Sequence, residues 1–357
     1  MLLEQIKALA DDSPASSGSA GGNPAGSSSA GSNSTGSSPA DANPDAPRIV
    51  FFGGKGGVGK STIASAVALG LAEDGYSVQL VSTDPAHNLG HMWEQAVGAR
   101  SVTAQANANL HLLELDPAAT TKAHIAQVED TMRRMMPERL HGEVAKHLDL
   151  ARNSPGTHEA AMVEAIAQIV ENSDHDFLIF DTAPSGHTAR LLAVPELMNA
   201  WTQGLMNRRD KSERFSELIR GMDPKHTATD AVDRRNQELR SILHKRQQRF
   251  ARLRDALQQQ SVFYLVLTAE KVPVLETAEL YAELAKTGIR VGGAVVNRRS
   301  PADQGDFLAN RRRLENAALD DLHRRLPQVR VTEVPLLDSE VGTPAALAEI
   351  AAHLRRS

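Results

Sequence analysis

From residue 48 onward, short apolar runs alternate with longer stretches in which apolar residues recur every three or four positions. Several of the short runs are unbroken series of Val, Ile, Leu and Phe, a pattern typical of parallel strands covered on both faces. Because helical stretches separate these runs, the pattern predicts repeated β-α-β units. We therefore expect an α/β fold built on a doubly wound, mostly parallel sheet of seven or eight strands. The predicted strands are Arg48–Phe52, Ser77–Ser82, Leu110–Leu115, Asp176–Asp181, Val262–Thr268, Val291–Asn297 and Arg330–Val334.

Two intervals between predicted strands are too long for one crossover helix. They cover about residues 116–172 and 191–260, and both contain apolar residues at helical spacing. We expect each interval to be a helical insertion, and the two together to form a subdomain on one side of the sheet. The sequence thus predicts one folded domain over residues 48–357.

The N-terminal segment differs in composition from this domain. Residues 11–47 contain 11 Ser, 7 Ala, 6 Gly and 5 Pro, and no Val, Ile, Leu, Lys, Arg or aromatic residue. Such a segment cannot bury enough apolar surface to offset its ordering entropy, which predicts a disordered linker. Residues 1–10 form either a short amphipathic helix or a ragged terminus, and we favour the ragged terminus. Deleting residues 1–47 is therefore expected to leave folding nearly unchanged.

Composition excludes several classes of protein. The 357 residues contain no Cys, which excludes disulfides, thiolate zinc sites and cysteine nucleophiles. No apolar stretch reaches the roughly 18 residues that a membrane span needs, and the first ten residues lack the basic start of a signal peptide. The net charge of −5 argues against a protein that coats nucleic acid. We interpret the excess of Lys and Arg in residues 206–257 as a solvated helical face, and expect a cytoplasmic protein with no nucleic-acid partner.

A phosphate-binding loop follows the first predicted strand. Residues 54–61 read GKGGVGKS and fit G-x-x-x-x-G-K-[ST] at every fixed position. The glycines let backbone N–H groups converge on phosphate oxygens, and the next helix presents its positive N-terminal end to them. Lys60 would reach the β- and γ-phosphates, and the Ser61 hydroxyl would bind Mg²⁺. The sequence therefore predicts ATP and Mg²⁺ as cofactors, with the nucleotide held by Gly54, Lys55, Gly56, Gly57, Val58, Gly59, Lys60, Ser61 and Thr62.

Two aspartates follow two other predicted strands. Asp84 follows the strand that ends at Ser82, and Asp181 ends the strand that begins at Asp176. Doubly wound sheets form their ligand crevices at the carboxyl ends of strands. A hydrolytic ATPase needs one carboxylate near Mg²⁺ and one group that positions the attacking water, and these two aspartates could supply both.

The loop and both aspartate segments resemble one known family. The matching stretches are residues 51–61 (FFGGKGGVGKS), 82–89 (STDPAHNL) and 181–192 (DTAPSGHTARLL). They are similar to the ATPases of arsenite pumps and of the guided entry of tail-anchored membrane proteins, which have a P-loop NTPase fold. The resemblance spans about residues 48–350.

The resemblance also implies roles for individual residues. Asp84 matches the aspartate that orients the attacking water, and Asp181 the aspartate on the Mg²⁺ side. Asn297 matches the asparagine that hydrogen-bonds adenine, while Pro335 and Leu336 fall where the family packs the base. Lys55 is the second lysine of the family's deviant loop, which reaches the nucleotide of the facing subunit. The resemblance thus implies a homodimer closed by ATP, with Lys55 and Lys60 acting with Asp84 in catalysis.

Three functions remain open. They are a chaperone that shields apolar segments of membrane-protein clients, the ATPase subunit of an arsenite or anion pump, and a positioning switch. A metalloid pump needs soft ligands, and this chain has no cysteine to supply them. The chaperone is favoured by the resemblance and by a helical apolar face at Leu197, Met198, Trp201, Leu205 and Met206, although that face also suits an ordinary core helix.

Overall fold

A mostly parallel sheet of eight strands forms the centre of the molecule. The computed structural model describes residues 2–11, 48–84, 89–135, 141–152, 156–182 and 230–356. The strands lie in the order β3-β4-β2-β5-β1-β6-β7-β8, and only the β3–β4 pair is antiparallel. They are β1 (Arg48–Gly53), β2 (Val78–Ser82), β3 (Val102–Ala104), β4 (Asn107–Glu114), β5 (Phe177–Asp181), β6 (Ser261–Thr268), β7 (Val291–Arg299) and β8 (Val331–Pro335).

The predicted fold class is confirmed, and so are all seven predicted strands. The strands that read as unbroken apolar runs are the inner ones: β2 and β5 are buried at every position. The eighth strand, β3, was not predicted. It has three residues, of which only Ala104 is buried, so it carries too little hydrophobic pattern to be recognised.

Helices cover both faces of the sheet. Those in the described ranges are α1 (Leu2–Asp11), α2 (Lys60–Glu73), α3 (Leu89–Met92), α4 (Pro117–Met135), α5 (His141–Arg152), α6 (Thr157–Glu171), α7 (Asp230–Gln259), α8 (Lys271–Thr287), α9 (Asp306–Arg325) and α10 (Pro344–Arg356). On one face, α2 and α10 pack with α1 against the sheet. On the other face, α6, α7, α8 and α9 contribute to a second apolar core. The two long intervals thus contain helices, and α6 and α7, one from each interval, lie on the same side of the sheet.

The N-terminal segment corrects an expectation. Residues 2–11 form α1, a helix whose apolar face is buried, rather than a ragged terminus. Leu2, Leu3 and Ile6 are each at most 1% exposed. Gly70 of α2 leaves room for Leu3, since a Cβ there would lie 2.7 Å from Leu3 Cδ1. The start of the chain therefore contributes to the core, and from this burial we now expect deletion of residues 1–47 to destabilise the fold rather than leave it nearly unchanged.

A salt bridge also holds α1 in place. Lys7 Nζ lies 2.8 Å from the carboxylate of Asp74, which follows α2, and 2.6 Å from Glu4 on its own helix. The pattern Leu2, Leu3, Ile6 was visible in the sequence. What the sequence could not reveal was the groove that receives it, which is built from α2 and from α10 at the other end of the domain.

Several predictions fall wholly or partly outside the described residues. They concern residues 12–47 of the linker predicted over 11–47, residues 85–88 of the segment 82–89, residues 183–192 of the segment that begins at Asp181, and the proposed client face at 197–206. Asp11, the first residue of the predicted linker, instead ends α1. Among the described residues, no helix combines the length and apolar character that a membrane crossing requires.

Candidate nucleotide site

The phosphate-binding loop lies at the carboxyl end of the central strand. β1 lies between β5 and β6. The strands β2 to β5 lie on one side of β1 and the strands β6 to β8 lie on the other, so the strand order reverses at β1. Doubly wound sheets bind their ligands at such a switch point. Two glycines are required by close approaches. A Cβ on Gly54 would lie 2.0 Å from the carbonyl oxygen of Val266, and Gly59 has φ +94° with the Asn297 amide nitrogen 2.2 Å from its hypothetical Cβ.

Both lysines of the loop are engaged within the same chain. Lys60 begins α2, is 4% exposed, and donates from Nζ to the carbonyl oxygen of Lys55 at 3.1 Å. Burial lowers the pKa of Lys60, while the negative charges of Asp181 and Asp84 raise it. The side chain of Lys55 turns away from the loop and forms a 2.9 Å ion pair with Glu276 on α8. The two amines therefore point to different places: Lys60 is folded over the loop, and Lys55 lies beside α8.

Asp181 is the most perturbed acid of the site. It ends β5, is 1% exposed, and its Oδ2 accepts a 3.4 Å hydrogen bond from the Ser82 hydroxyl. Its Oδ1 is buried without a hydrogen-bond partner in the described part of the chain. Burial raises the pKa of Asp181 to about 7, against the Ser61 hydrogen bond and the charge of Lys60, which lower it. A buried carboxylate oxygen with nothing to bind, next to a hydroxyl and an ammonium, fits a hard divalent cation such as Mg²⁺.

Asp181 does not line the cavity above the loop, but Asp84 does. Its backbone N–H donates to the Ser82 hydroxyl at 3.3 Å, so one serine hydroxyl contacts both Asp84 and Asp181. The cavity has a volume of about 430 Å³. It is lined by Gly57, Gly59, Lys60, Ser61, Thr62, Asp84, His91, Met92, Arg298, Glu340 and Gly342.

The end of β7 supports the loop from the other side. Asn297 is 5% exposed; its Nδ2 donates to the carbonyl oxygen of Val58 at 3.0 Å, and its Oδ1 accepts from the backbone N–H of Arg298 at 2.9 Å. Arg298 has φ 58°, the left-handed region that a non-glycine residue rarely occupies. In that conformation its guanidinium donates to the carbonyl oxygen of Gly57 at 3.2 Å. Asn297 and Arg298 thus tie two loop carbonyls to the sheet.

A buried ionic network fixes the residues that follow. Arg299 is 2% exposed and donates to Glu315 at 2.8 Å and to Glu333 at 2.7 Å. Ser300, which is fully buried, donates to Glu315 from both its hydroxyl and its backbone N–H. Because the charged groups of this network are paired with one another, they fix the end of β7, which carries Asn297.

The two residues expected to pack the base lie beside this segment. Pro335 pairs with Arg299 in the sheet, and the backbone N–H of Leu336 donates to the carbonyl oxygen of Arg299 at 2.9 Å. Leu336 is 43% exposed. The structure thus brings Asn297, Pro335 and Leu336 to the ends of two adjacent strands, although none of the three lines the cavity above the loop.

Sequence reasoning missed several residues of the site. His91, Met92 and Glu340 line the cavity, and Glu276 pairs with Lys55. None of them belongs to a motif that the sequence analysis used. Arg298 directly follows Asn297, but its left-handed backbone has no sequence signal of the kind that a glycine gives.

The chain is similar in sequence to a family of known ATPases. The profile of the anion-transporting ATPase family matches residues 47–356. A putative arsenical pump-driving ATPase 2 of Aquifex aeolicus is 29% identical over 301 residues, which cover 82% of this chain and 94% of that protein. ATPase GET3A of Arabidopsis thaliana is 31% identical over 307 residues, covering 84% and 81%. ATPase GET3 of Malassezia globosa is 29% identical over 311 residues, covering 85% and 90%.

Proposed function

The chain belongs to the anion-transporting ATPase family and is an ATPase, and from that premise we propose that it hydrolyses Mg-ATP as a homodimer that handles a membrane-protein client. The observation that carries the proposal is the clustering of Lys60, Asp84 and Asp181 at the carboxyl ends of adjacent strands. Lys60 and Asp84 line the cavity above the loop, and the Ser82 hydroxyl contacts both Asp84 and Asp181. These groups supply a cation for the phosphates, a carboxylate for the attacking water and a carboxylate for a metal ion.

The proposed roles follow from the surroundings of each group. Ser61 and Asp181 would hold Mg²⁺, which when bound neutralises charge on the phosphates. Lys60 leaves the Lys55 carbonyl oxygen and binds the phosphates, to which an ammonium is attracted more strongly than to a neutral carbonyl. Asp84, less buried than Asp181 and attached to the segment after β2, accepts a hydrogen bond from water and orients it toward the phosphorus.

The proposed dimer rests on Lys55. A lysine at this position of the loop is used in the resembling ATPases to reach the facing subunit's nucleotide. Here its side chain lies on the outside of the loop and is 44% exposed, so a second subunit can meet it. A second ammonium at the phosphates would stabilise the charge that develops during transfer.

The proposed client is an apolar segment of a membrane protein, handled in the cytoplasm. Two observations favour it over the driving of a metalloid pump: the chain has no cysteine ligands for a metalloid, and residues 197–206 carry an apolar helical pattern. The pump-driving role is the second candidate, because the Aquifex relative carries the name of such an ATPase.

One experiment separates these two roles. The protein is mixed with an aggregation-prone peptide of about 20 apolar residues, and light scattering is followed with and without Mg-ATP. We expect Leu205→Ser with Met206→Ser to abolish protection and to leave basal ATP hydrolysis intact. The matched control is Phe307→Ser with Leu314→Ser on α9, which are 77% and 75% exposed.

The outcomes are distinct. Protection that is lost only in the first variant supports client handling. If neither the parent protein nor either variant protects the peptide, the client role is removed and the pump is favoured. Equal protection by all three would place the client surface elsewhere than residues 205 and 206. If the first variant unfolds, residues 205 and 206 belong to a core and the proposed client face is wrong.

A further inference from the structure

Lys55 and Glu276 form an ion pair at the edge of the nucleotide site. Lys55 Nζ lies 2.9 Å from Glu276 Oε1, and the two side chains are 44% and 35% exposed. Glu276 stands in the second turn of α8, the helix that follows β6, which is the strand beside β1. The pair therefore joins the phosphate-binding loop to the neighbouring helix within one subunit.

The carboxylate of Glu276 is poorly satisfied apart from this pair. Its Oε2 is buried and has no hydrogen-bond partner among the described residues. A buried carboxylate oxygen without a donor is costly, so an acid at this position is not explained by local packing. Lys55 is the counter-ion that makes the position tolerable in the isolated subunit.

Resting on the function proposed above, we propose that Glu276 is a positioning residue that holds Lys55 against its own subunit until a facing nucleotide draws it away. An ammonium that moves from Glu276 to another subunit's phosphates gives up the 2.9 Å contact with Glu276. A triphosphate on the facing subunit carries more negative charge than one carboxylate, so it attracts the Lys55 ammonium more strongly than Glu276 does. Without a triphosphate on the facing subunit, no new interaction replaces the ion pair that Lys55 would lose by leaving Glu276.

This exchange makes dimer closure depend on the nucleotide. A symmetric dimer contains two such pairs, and both break when it closes. Partly exposed ion pairs are weak, which suits a contact that must be broken in every cycle. Together the two pairs are expected to shift the dimerisation midpoint by about tenfold.

The first test examines the single subunit. Without nucleotide, Lys55 should react slowly with an acetylating reagent, because its amine is paired. Glu276→Gln should raise the labelling rate of Lys55 about threefold, measured by mass spectrometry of peptides, since an exposed pair protects by that order. Lys271, an exposed amine at the start of the same helix, should not change. Equal labelling of Lys55 in both proteins overturns the proposal, whatever the oligomeric state.

The second test examines closure. Sedimentation is measured with Mg²⁺ and a non-hydrolysable ATP analogue for the parent protein, Glu276→Gln and the control Glu279→Gln, an exposed acid on the same helix. We expect the midpoint of dimerisation to fall about tenfold for Glu276→Gln and to stay unchanged for Glu279→Gln. In a Lys55→Ala background, Glu276→Gln should have no effect.

The outcomes separate this inference from the proposed function. If the parent dimerises and Glu276→Gln dimerises equally or more weakly, the role of Glu276 is wrong while the dimer stands. If no variant dimerises with the analogue, the dimeric function fails, and the inference that rests on it fails too. If Glu276→Gln dimerises and the parent does not, the restraint is stronger than proposed and the inference is supported.

Discussion

Asn297 holds the phosphate-binding loop through Val58. Its side-chain amide donates to the Val58 carbonyl oxygen at 3.0 Å, one residue before Gly59, where any Cβ would collide with the same amide. The resemblance to tail-anchored-protein ATPases implies that Asn297 reads adenine. In this structure both polar atoms of its side chain bind the protein backbone. Holding the loop affects the binding of any triphosphate, whereas contacting adenine affects only the binding of adenine nucleotides.

Asn297→Ala is expected to weaken binding of inorganic triphosphate as well as ATP. The loop loses a buried hydrogen bond worth about 1 kcal/mol, or about fivefold in affinity, whatever base the ligand carries. Isothermal titration with both ligands measures this, and Asn310→Ala, an exposed asparagine on α9, is the control. A loss confined to ATP would mean that Asn297 acts on the base alone.

Asp84→Asn is expected to retain ATP binding and to lose most turnover. If Asp84 orients the attacking water, its replacement lowers kcat about 100-fold and leaves the nucleotide dissociation constant within about threefold. Phosphate release and titration with a fluorescent ATP analogue measure the two quantities. Asp303→Asn, at an exposed position after β7, should match the parent protein. Parallel losses of binding and turnover would assign Asp84 to nucleotide binding instead.

Asp181 should make the stability of the nucleotide-free protein pH-dependent. Its pKa is raised by burial to about 7, so between pH 4 and 7 the folded state keeps a proton that the unfolded state has lost. Stability from this group is therefore present at low pH and is lost as pH rises toward 7. As the pH rises from 5 to 8, the free energy of unfolding of Asp181→Asn should increase by about 2 kcal/mol relative to that of the parent protein, measured by urea unfolding. A constant difference across that range would contradict the raised pKa.

Leu3→Ala is expected to destabilise the whole domain. Leu3 is fully buried against Gly70, and removing such a side chain leaves a cavity that costs about 2–4 kcal/mol. Urea unfolding should show a lower midpoint with an unchanged slope. Glu4→Ala, an exposed change on the same helix, should cost less than about 0.5 kcal/mol. An unaltered midpoint for Leu3→Ala would mean that α1 is detached in solution.

Local sequence patterns predict much of this architecture. Inner strands such as β5 are buried on both faces, so unbroken apolar runs reveal them, and the glycine-rich loop is recognised because close approaches such as that of Gly54 to Val266 admit no side chain. The sheet then brings Asp84 and Asp181 together, since β2 and β5 are neighbours.

What escaped prediction depends on contacts between distant segments. The docking of Leu3 requires a groove made by α2 and α10, and nothing near residue 3 encodes it. The pairing of Lys55 with Glu276 joins residues that have no common motif. Arg298 occupies a strained backbone conformation because the network behind it and the loop in front of it fix its position, and neither neighbour is close in sequence.

During synthesis on the ribosome, α1 emerges before nearly all of the domain, and α10 emerges near its end. Until α10 is made, Leu2, Leu3 and Ile6 have only part of the surface that covers them in the finished molecule. The nascent chain therefore carries a partly covered apolar segment through most of translation. Completion of the fold has to wait for two segments from opposite ends of the domain to meet, so a translational arrest before α10 would leave a chain prone to aggregate.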